Sequence, residues 1–316
     1  MWFVNAADSA WRGPEHRSRD ANGMAARHQA SEQFSDEEAS SFADPVQALS
    51  TTIPRQTRAE SLSKMESDVL MTAVCEICGL PLSGSGLDVH IRELIGRVDQ
   101  GRGAWLLTLN TEMLARGARD LAYWSLVKKA DIITADGMPL VWASKFKRPG
   151  HAIAGRTTGV DLVDGLLRHQ HVPAFAVIGG QNPRKTIEQY GSRATEACAF
   201  VFDGKVDLSE SQVSFFCQEL TRHQVRLVFI ALGVPKQDQL AVLLRQRMPQ
   251  LVLLGIGGTF EILGPDGSRA PVWMQRVGLE WFFRLAREPG RLWRRYLINY
   301  PRGIWFLVRD CLGAGH

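Results

Sequence analysis

The chain has 316 residues, 45% hydrophobic and 22% charged, a balance that fits a globular protein with enough apolar content for a sizeable core. A net charge of +4 and a pI near 8.9 are too mild, without any RNA-recognition signature, for nucleic acid to be the expected partner. Five scattered cysteines, an odd number, exclude a disulfide framework and favour a reducing compartment.

The N-terminus shows no basic start followed by an apolar run, and no stretch of about 18 apolar residues occurs, so neither a secretory leader nor a transmembrane helix is expected. Residues 1–68 are rich in Ser, Ala, Glu, Arg and Gln with few aliphatics. Such a segment buries too little to offset the entropy of ordering it, and it reads as a mobile extension. Cys75 and Cys78 form a lone CxxC with no second pair or neighbouring His, which favours ordinary buried cysteines over a zinc or redox site.

From residue 69 the texture changes. Short apolar runs stop at Gly, Asn or Asp: "LLTLN" (106–110), "DIITADG" (131–137), "AFAVIGG" (174–180), "VRLVFIALG" (225–233) and "LVLLGIGG" (251–258). Between them lie helical patterns at Glu112–Lys129, Val160–Gln170, Pro183–Glu196, Ser209–Arg222 and Lys236–Gln246. Strands too apolar to face water, alternating with helices, predict an α/β fold whose mostly parallel sheet is covered on both faces. Ligands of such sheets bind at the carboxyl ends of the strands.

That rule selects Thr108, Asn110, Asp136, Gly137, Gly179, Gly180, Gly233, Gly257 and Gly258 as candidate site residues. A carboxylate such as Asp136 at a sheet's edge, backed by apolar strand, sits where burial lifts its pKa into the range of a general base; Asp136-Gly137 is equally a turn dipeptide. Asn110 is equally a helix N-cap. In "VIGGQNPRKT" and "ALGVPKQDQ" a glycine turn leads into a helix start with cations close behind, Arg184 and Lys185 in one and Lys236 beside Gln237 in the other. Free N–H groups and cations suit a diphosphate. Neither loop is a P-loop, and "GIGG" lacks the full dinucleotide spacing. The chain has no Asp-x-Asp, so a diphosphate would be met by Arg, Lys and helix N-termini, with no metal.

The last part, "GLEWFFRLAREPGRLWRRYLINYPRGIWFLVRD" (278–310), sets aromatic residues between arginines. Leu279, Phe282, Phe283 and Ala286 fall at helical spacing; Pro289-Gly290 is expected to break that helix, and Pro301 a second one bearing Leu292, Trp293, Tyr296, Leu297 and Tyr300. Two roles fit: packing on the sheet or a neighbouring subunit, or lying on an anionic membrane surface with Arg284, Arg287, Arg291, Arg294, Arg295 and Arg302 toward the headgroups.

Taken in order, "TLNTEM", "ADIITADGMPLVWASK", "GRTTGVDL", "ALGVPKQD", "GIGGTFEIL", "RAPVWMQRVGLEW" and "EPGRLWRRYLINYPR" resemble the WecG/TagA/CpsF glycosyltransferase family (glycosyltransferase family 26), over about 75–308. The resemblance implies a Rossmann-like domain over 69–268 and a C-terminal helical, membrane-associating appendage over 269–316. It implies inverting transfer of a sugar from a UDP-sugar to a polyprenyl-diphosphate-linked saccharide at the cytoplasmic membrane face, in exopolysaccharide or cell-surface polymer synthesis. No cofactor or metal is implied, and a homo-oligomer is compatible with it. Asp136 would be the general base. Arg156, helped by Lys236, would offset charge on the leaving diphosphate, with Thr108, Asn110 and Gln237 holding sugar hydroxyls or the uracil edge. Two departures from relatives, "GPDGS" at 264–268 and Thr134-Ala135 before the Asp-Gly, bear on the choice of donor sugar. A non-catalytic nucleotide-binding scaffold of a polysaccharide assembly complex is the alternative class.

Overall fold

Each predicted apolar run forms a strand, joined by three further strands that periodicity alone does not reveal. The computed structural model describes residues 74–147, 152–265, 267 and 269–313; the extension expected over 1–68 lies outside the described residues. The described chain enters on a hairpin, β1 (Val74–Ile77) and β2 (Leu80–Ser83), followed by α1 (Leu87–Asp99), β3 (Ala104–Leu109), α2 (Thr111–Gly117), α3 (Leu121–Val127), β4 (Ile132–Ala135) and α4 (Met138–Lys147). It continues through α5 (Gly159–Arg168), β5 (Phe175–Gly179), α6 (Pro183–Glu188), α7 (Ser192–Ala197), β6 (Cys198–Phe202), α8 (Glu210–Arg222), β7 (Leu227–Ala231), α9 (Lys236–Arg247), β8 (Val252–Gly255) and α10 (Thr259–Leu263). The C-terminal segment is helical: α11 (Val272–Arg276), α12 (Glu280–Arg287), α13 (Pro289–Trp293), a π-helical turn over Arg294–Asn299, and α14 (Tyr300–Cys311).

The eight strands make one sheet in the order β1-β2-β4-β3-β8-β7-β5-β6, parallel except for the β1–β2 hairpin. This is the expected α/β class with a mostly parallel, Rossmann-like sheet. Alternation sorts side chains to two faces. Trp105, Leu107 and Leu109 of β3 join α2, α3, α4, α8, α9 and α14, whereas Ala104 and Leu106 join α1, α5 and Phe260 of α10. Burying each such Leu or Phe is worth about 1.5–3 kcal/mol, and both faces are dry.

Two expected helices are interrupted for local reasons. The pattern over Glu112–Lys129 divides at Asp120, whose carboxylate caps α3 by accepting from Tyr123 N–H at 2.9 Å. The pattern over Pro183–Glu196 divides at Gly191, which takes φ +88°. The break expected at Pro301 does not occur. Pro301 directly follows the π-helical turn, where Tyr300 N–H bonds five residues back to the Arg295 carbonyl; this widened turn takes up the proline ring and its missing N–H without ending the helix.

Helix α14 folds back on the sheet domain. Its Gly303 presses on α2, where a Cβ would stand 1.9 Å from the Thr111 carbonyl oxygen. Near the end of α14, Asp310 accepts from Cys78 N–H at 2.9 Å and from Lys147 Nζ at 2.7 Å. The second half of the C-terminal segment is therefore fastened to the β1–β2 turn and to α4. Cys75 and Cys78 are buried at that junction, and burial pushes the Cys78 thiol far above its usual range.

Candidate active site

Parallel register aligns the carboxyl ends of the central strands: Thr108 pairs with Thr134, Leu109 with Ala135, Leu107 with Gly255 and Ile230 with Gly255. The chain leaves β3 toward β4 on one side, while β8 arrives on the other. The strand order thus reverses at β3, where open sheets leave a crevice. A cleft of about 370 Å³ opens there.

Asp136 follows β4 at the floor of this cleft, its N–H donating to the Leu109 carbonyl at 2.7 Å. Burial, reinforced by the Glu280 carboxylate, pushes its pKa up to about 7 against the pull of Arg156 and Arg295. A second raised carboxylate makes an instructive contrast. Asp238 on α9 is also lifted to about 7 by burial and accepts from the Tyr123 hydroxyl at 2.9 Å, but it does not line the cleft. Of the two, Asp136 alone lines the cleft.

Beside it, Asn110 is both cap and cleft residue. Its Oδ1 accepts from the N–H groups of Glu112 and Met113, both at 3.1 Å, capping α2, while the residue lines the cleft. Thr108 is buried against β8 and also reaches the cleft. Gln237 takes a supporting position: buried, its Oε1 accepts from Gly257 N–H at 2.9 Å and holds the turn after β8. Gly137, Gly233, Gly257 and Gly258 complete the strand-end rim.

Three candidates sit elsewhere. Lys236 donates from Nζ to the Val206 carbonyl at 2.7 Å and is not among the cleft-lining residues. Gly179 and Gly180 pack against Ala231, Leu232 and Phe260 outside the cleft. The Thr134-Ala135 departure also lies outside it. Thr134 Oγ donates to the Thr157 carbonyl at 3.0 Å and Thr157 N–H to the Ala135 carbonyl at 2.9 Å, tying the strand that precedes Asp136 to the loop that carries Arg156. Of the "GPDGS" turn, Asp266 and Ser268 lie outside the described residues.

The C-terminal arginines divide. Arg284, Arg291 and Arg295 line the cleft, whereas Arg287 and Arg294 lie outside it, over the rings of Phe283 and Trp293. Arg295 pairs with Glu112 at 2.9 Å. Sequence reasoning missed the residues that accompany these arginines. Arg156 donates to Glu280 at 2.7 Å and to Gln275 at 2.9 Å. Trp281 stacks on Tyr300 with ring centroids 5.8 Å apart, Tyr296 packs beside them, and the three form an aromatic wall. The only hint was their place within "RVGLEW" and "YLINY", since nothing in the helical period says that this face turns to the strand ends.

Four arginines (156, 284, 291, 295) and four carboxylates (Glu112, Asp136, Glu261, Glu280) line the cleft. With Asp136 protonated the cleft carries a net positive charge, as anionic ligands require. Among the described residues no three His, Cys, Asp or Glu side chains gather to hold a metal ion.

The rest of the C-terminal segment presents apolar side chains outward. Leu279, Phe282 and Ala286 of the amphipathic α12 pattern are exposed, and Leu292 and Tyr296 are buried. Trp305 on α14 is 66% exposed, and Leu312, just past its end, 72%. Among the described residues no helix is long and apolar enough to cross a membrane.

Comparison with known proteins agrees with this geometry. Residues 75–315 match the family described as "Glycosyl transferase WecG/TagA/CpsF family". The chain is similar to "N-acetylglucosaminyldiphosphoundecaprenol N-acetyl-beta-D-mannosaminyltransferase" of Bacillus subtilis (strain 168), 28% identical over 214 residues, covering 67% of this chain and 82% of that one. It is also similar to the enzyme of the same name from Bacillus spizizenii (strain ATCC 23059 / NRRL B-14472 / W23), 28% identical over 223 residues, covering 67% and 81%. A family match over most of the chain, on a strand-end cleft with a raised carboxylate and converging arginines, makes the protein a glycosyltransferase of the WecG/TagA/CpsF family.

Proposed function

We propose that this enzyme moves a sugar from a UDP-sugar to a polyprenyl-diphosphate-linked saccharide, with inversion, and that Asp136 is the general base. The relatives' names make an N-acetylmannosaminyl donor and an N-acetylglucosaminyl-diphosphoundecaprenol acceptor the first pair to test. The observation that carries the reading is Asp136 itself: a carboxylate with a pKa near 7 at the floor of a cleft walled by arginines.

In this reading the ionised Asp136 takes the proton from an acceptor hydroxyl as its oxygen attacks the anomeric carbon. The bond to UDP breaks on the opposite face and the centre inverts. Negative charge grows on the departing diphosphate, and guanidinium groups answer it. Arg156 uses two donors on Glu280 and Gln275 and retains three of its five N–H groups for phosphate; Arg284, Arg291 and Arg295 supply more. Arginine, and not a metal ion, performs the neutralisation in this proposal. Asn110 and Gln237 orient the nucleotide and sugar, and the Trp281–Tyr300 wall offers a flat surface for a ring.

A lipid-linked acceptor requires the enzyme to meet the bilayer. The outward apolar side chains Phe282, Trp305 and Leu312, with exposed Arg302 and Arg309 nearby, support a peripheral attachment to the anionic cytoplasmic face of the membrane. A screen of UDP-sugars with a polyprenyl-diphosphate-N-acetylglucosamine acceptor, in the presence of EDTA, tests the whole reading through UDP release. UDP release dependent on acceptor upholds it; none with any donor, or release abolished by the chelator alone, overturns the acceptor or the metal-free mechanism respectively.

A further inference from the structure

We propose that Glu280, brought in by the C-terminal segment, is a positioning residue for the base: it clasps Arg156 so that this cation does not quench the proton affinity of Asp136. The proposal rests on the reading of Asp136 as the base and adds a tuning element that lies 144 residues further along the chain.

The geometry is built on both sides. Arg156 Nη1 donates to Glu280 at 2.7 Å and Nη2 to Gln275 at 2.9 Å, while Gln275 itself donates to the Ala270 carbonyl at 2.7 Å. The Arg156 and Glu280 side chains are each only 17% exposed, so the pair is largely shielded from solvent and more strongly coupled than a surface bridge. On the core side, the Thr157 backbone bonds to β4 hold Arg156 beside Asp136. On the segment side, Gly278 takes φ +77° where a Cβ would come within 3.1 Å of Met138, letting the chain cross just past the Asp136 loop. The next residue but two, Trp281, is stacked on Tyr300. Glu280 is therefore held from both ends.

Five charged or titratable groups face Asp136 from the elements around it: Arg156 from the loop before α5, Asp161 from α5, Glu280 from α12, Arg295 from the π-helical turn and Tyr300 from α14. Glu280 and Asp161 favour the protonated carboxyl, and Arg156 and Arg295 favour the ionised one. A lone guanidinium beside a carboxylate lowers its pKa by about 1–3 units. Glu280 weakens the positive field that Arg156 exerts on Asp136, while the remaining N–H groups of Arg156 stay available to phosphate. The two bonds of Arg156 to Glu280 and Gln275 also fix the plane of the guanidinium, and with it the direction of its free N–H groups.

The test is the pH dependence of UDP release in five proteins: the parent, E280Q, E280D, R156Q and the double variant R156Q/E280Q. Glutamine keeps a hydrogen-bond acceptor for Arg156 and removes only the charge. The expected result is an acid limb that moves down by about one pH unit in E280Q and stays near the parent's in E280D, with a much smaller movement from R156Q to R156Q/E280Q, where Glu280 has no cation to hold. The double variant leaves no unpaired buried charge; a movement of about one pH unit from R156Q to it would show Glu280 acting without Arg156 and overturn the proposal, even if E280Q alone does not fold. An acid limb that stays in place, with kcat lowered equally at every pH, overturns the proposal while leaving Asp136 as the base. Full UDP release by D136N overturns both.

Discussion

Replacing Asp136 by Asn keeps the shape of the side chain and removes its charge, so one substitution reads chemistry and burial together. Burial lifts this carboxyl from 3.8 to about 7. At about 1.4 kcal/mol per pH unit, ionising it in the folded chain costs about 4 kcal/mol at most. Asp136 keeps some contact with the cleft's solvent, so about 2 kcal/mol is the working figure. Between pH 4 and 7 the folded protein holds a proton that the unfolded chain has released. The group's contribution to stability is thus full below its unfolded pKa and is lost as pH rises through 7. Asn suffers no such loss. D136N is expected to match the parent near pH 4 and to exceed it by about 2 kcal/mol at pH 8, or about 4–8 °C in Tm, while UDP release falls by about 100- to 10,000-fold. Urea titrations at the two pH values, differenced between the two proteins, isolate the effect from every other titrating group. Equal differences at both pH values, or a D136N protein less stable at pH 8, would refute the claim that a buried charge sits at the end of β4.

Three further outcomes are expected. Gly303→Ala forces a methyl into the Thr111 carbonyl at the α14–α2 crossing and should cost about 3 kcal/mol in urea unfolding, with activity lost as the cleft opens. Gln237→Leu leaves Gly257 N–H unpaired, which costs about 2 kcal/mol; UDP affinity measured by calorimetry should drop about tenfold as the turn after β8 loosens. Replacing both Trp305 and Leu312 by Ser should reduce co-sedimentation with anionic liposomes by about tenfold or more and leave turnover of a short-chain, water-soluble acceptor unchanged. Undiminished liposome binding would remove α14 from the membrane contact.

Local pattern was enough for the strands that are buried on both faces. Apolar runs ending at Gly, Asn or Asp mark β3, β4, β5, β7 and β8, because a strand between two helical layers has no polar face to dilute its signal. The hairpin β1–β2 escaped because its strands, VCEI and LPLS, mix apolar and polar residues; the half-exposed edge strand β6, CAFVF, is apolar but follows α7 directly, so no break marks its run as a separate element. Asp136 was legible as a carboxylate at the sheet's carboxyl edge for the same reason as its strand, but Asp-Gly is equally a turn dipeptide, and only the fold supplies the burial that raises its pKa. Its neighbours Thr108 and Asn110 were selected by the strand-end rule, while Arg156 and Gln237 were matched from the order of short peptides along the chain.

What the linear chain by itself determined, then, is a parallel α/β sheet with an acidic group at its working edge and a helical, arginine-rich end. Which of those arginines meet the cleft was decided only by the fold. Arg284, Arg291 and Arg295 turn inward while Arg287 and Arg294 do not, and Lys236, adjacent to Gln237, is spent on a backbone carbonyl. The reason is distance in sequence. Glu280, Trp281 and Tyr300 reach Asp136 because Gly303 lets α14 lie against α2 and Asp310 fastens it to Lys147 and Cys78, contacts that no period of 2 or 3.6 residues encodes.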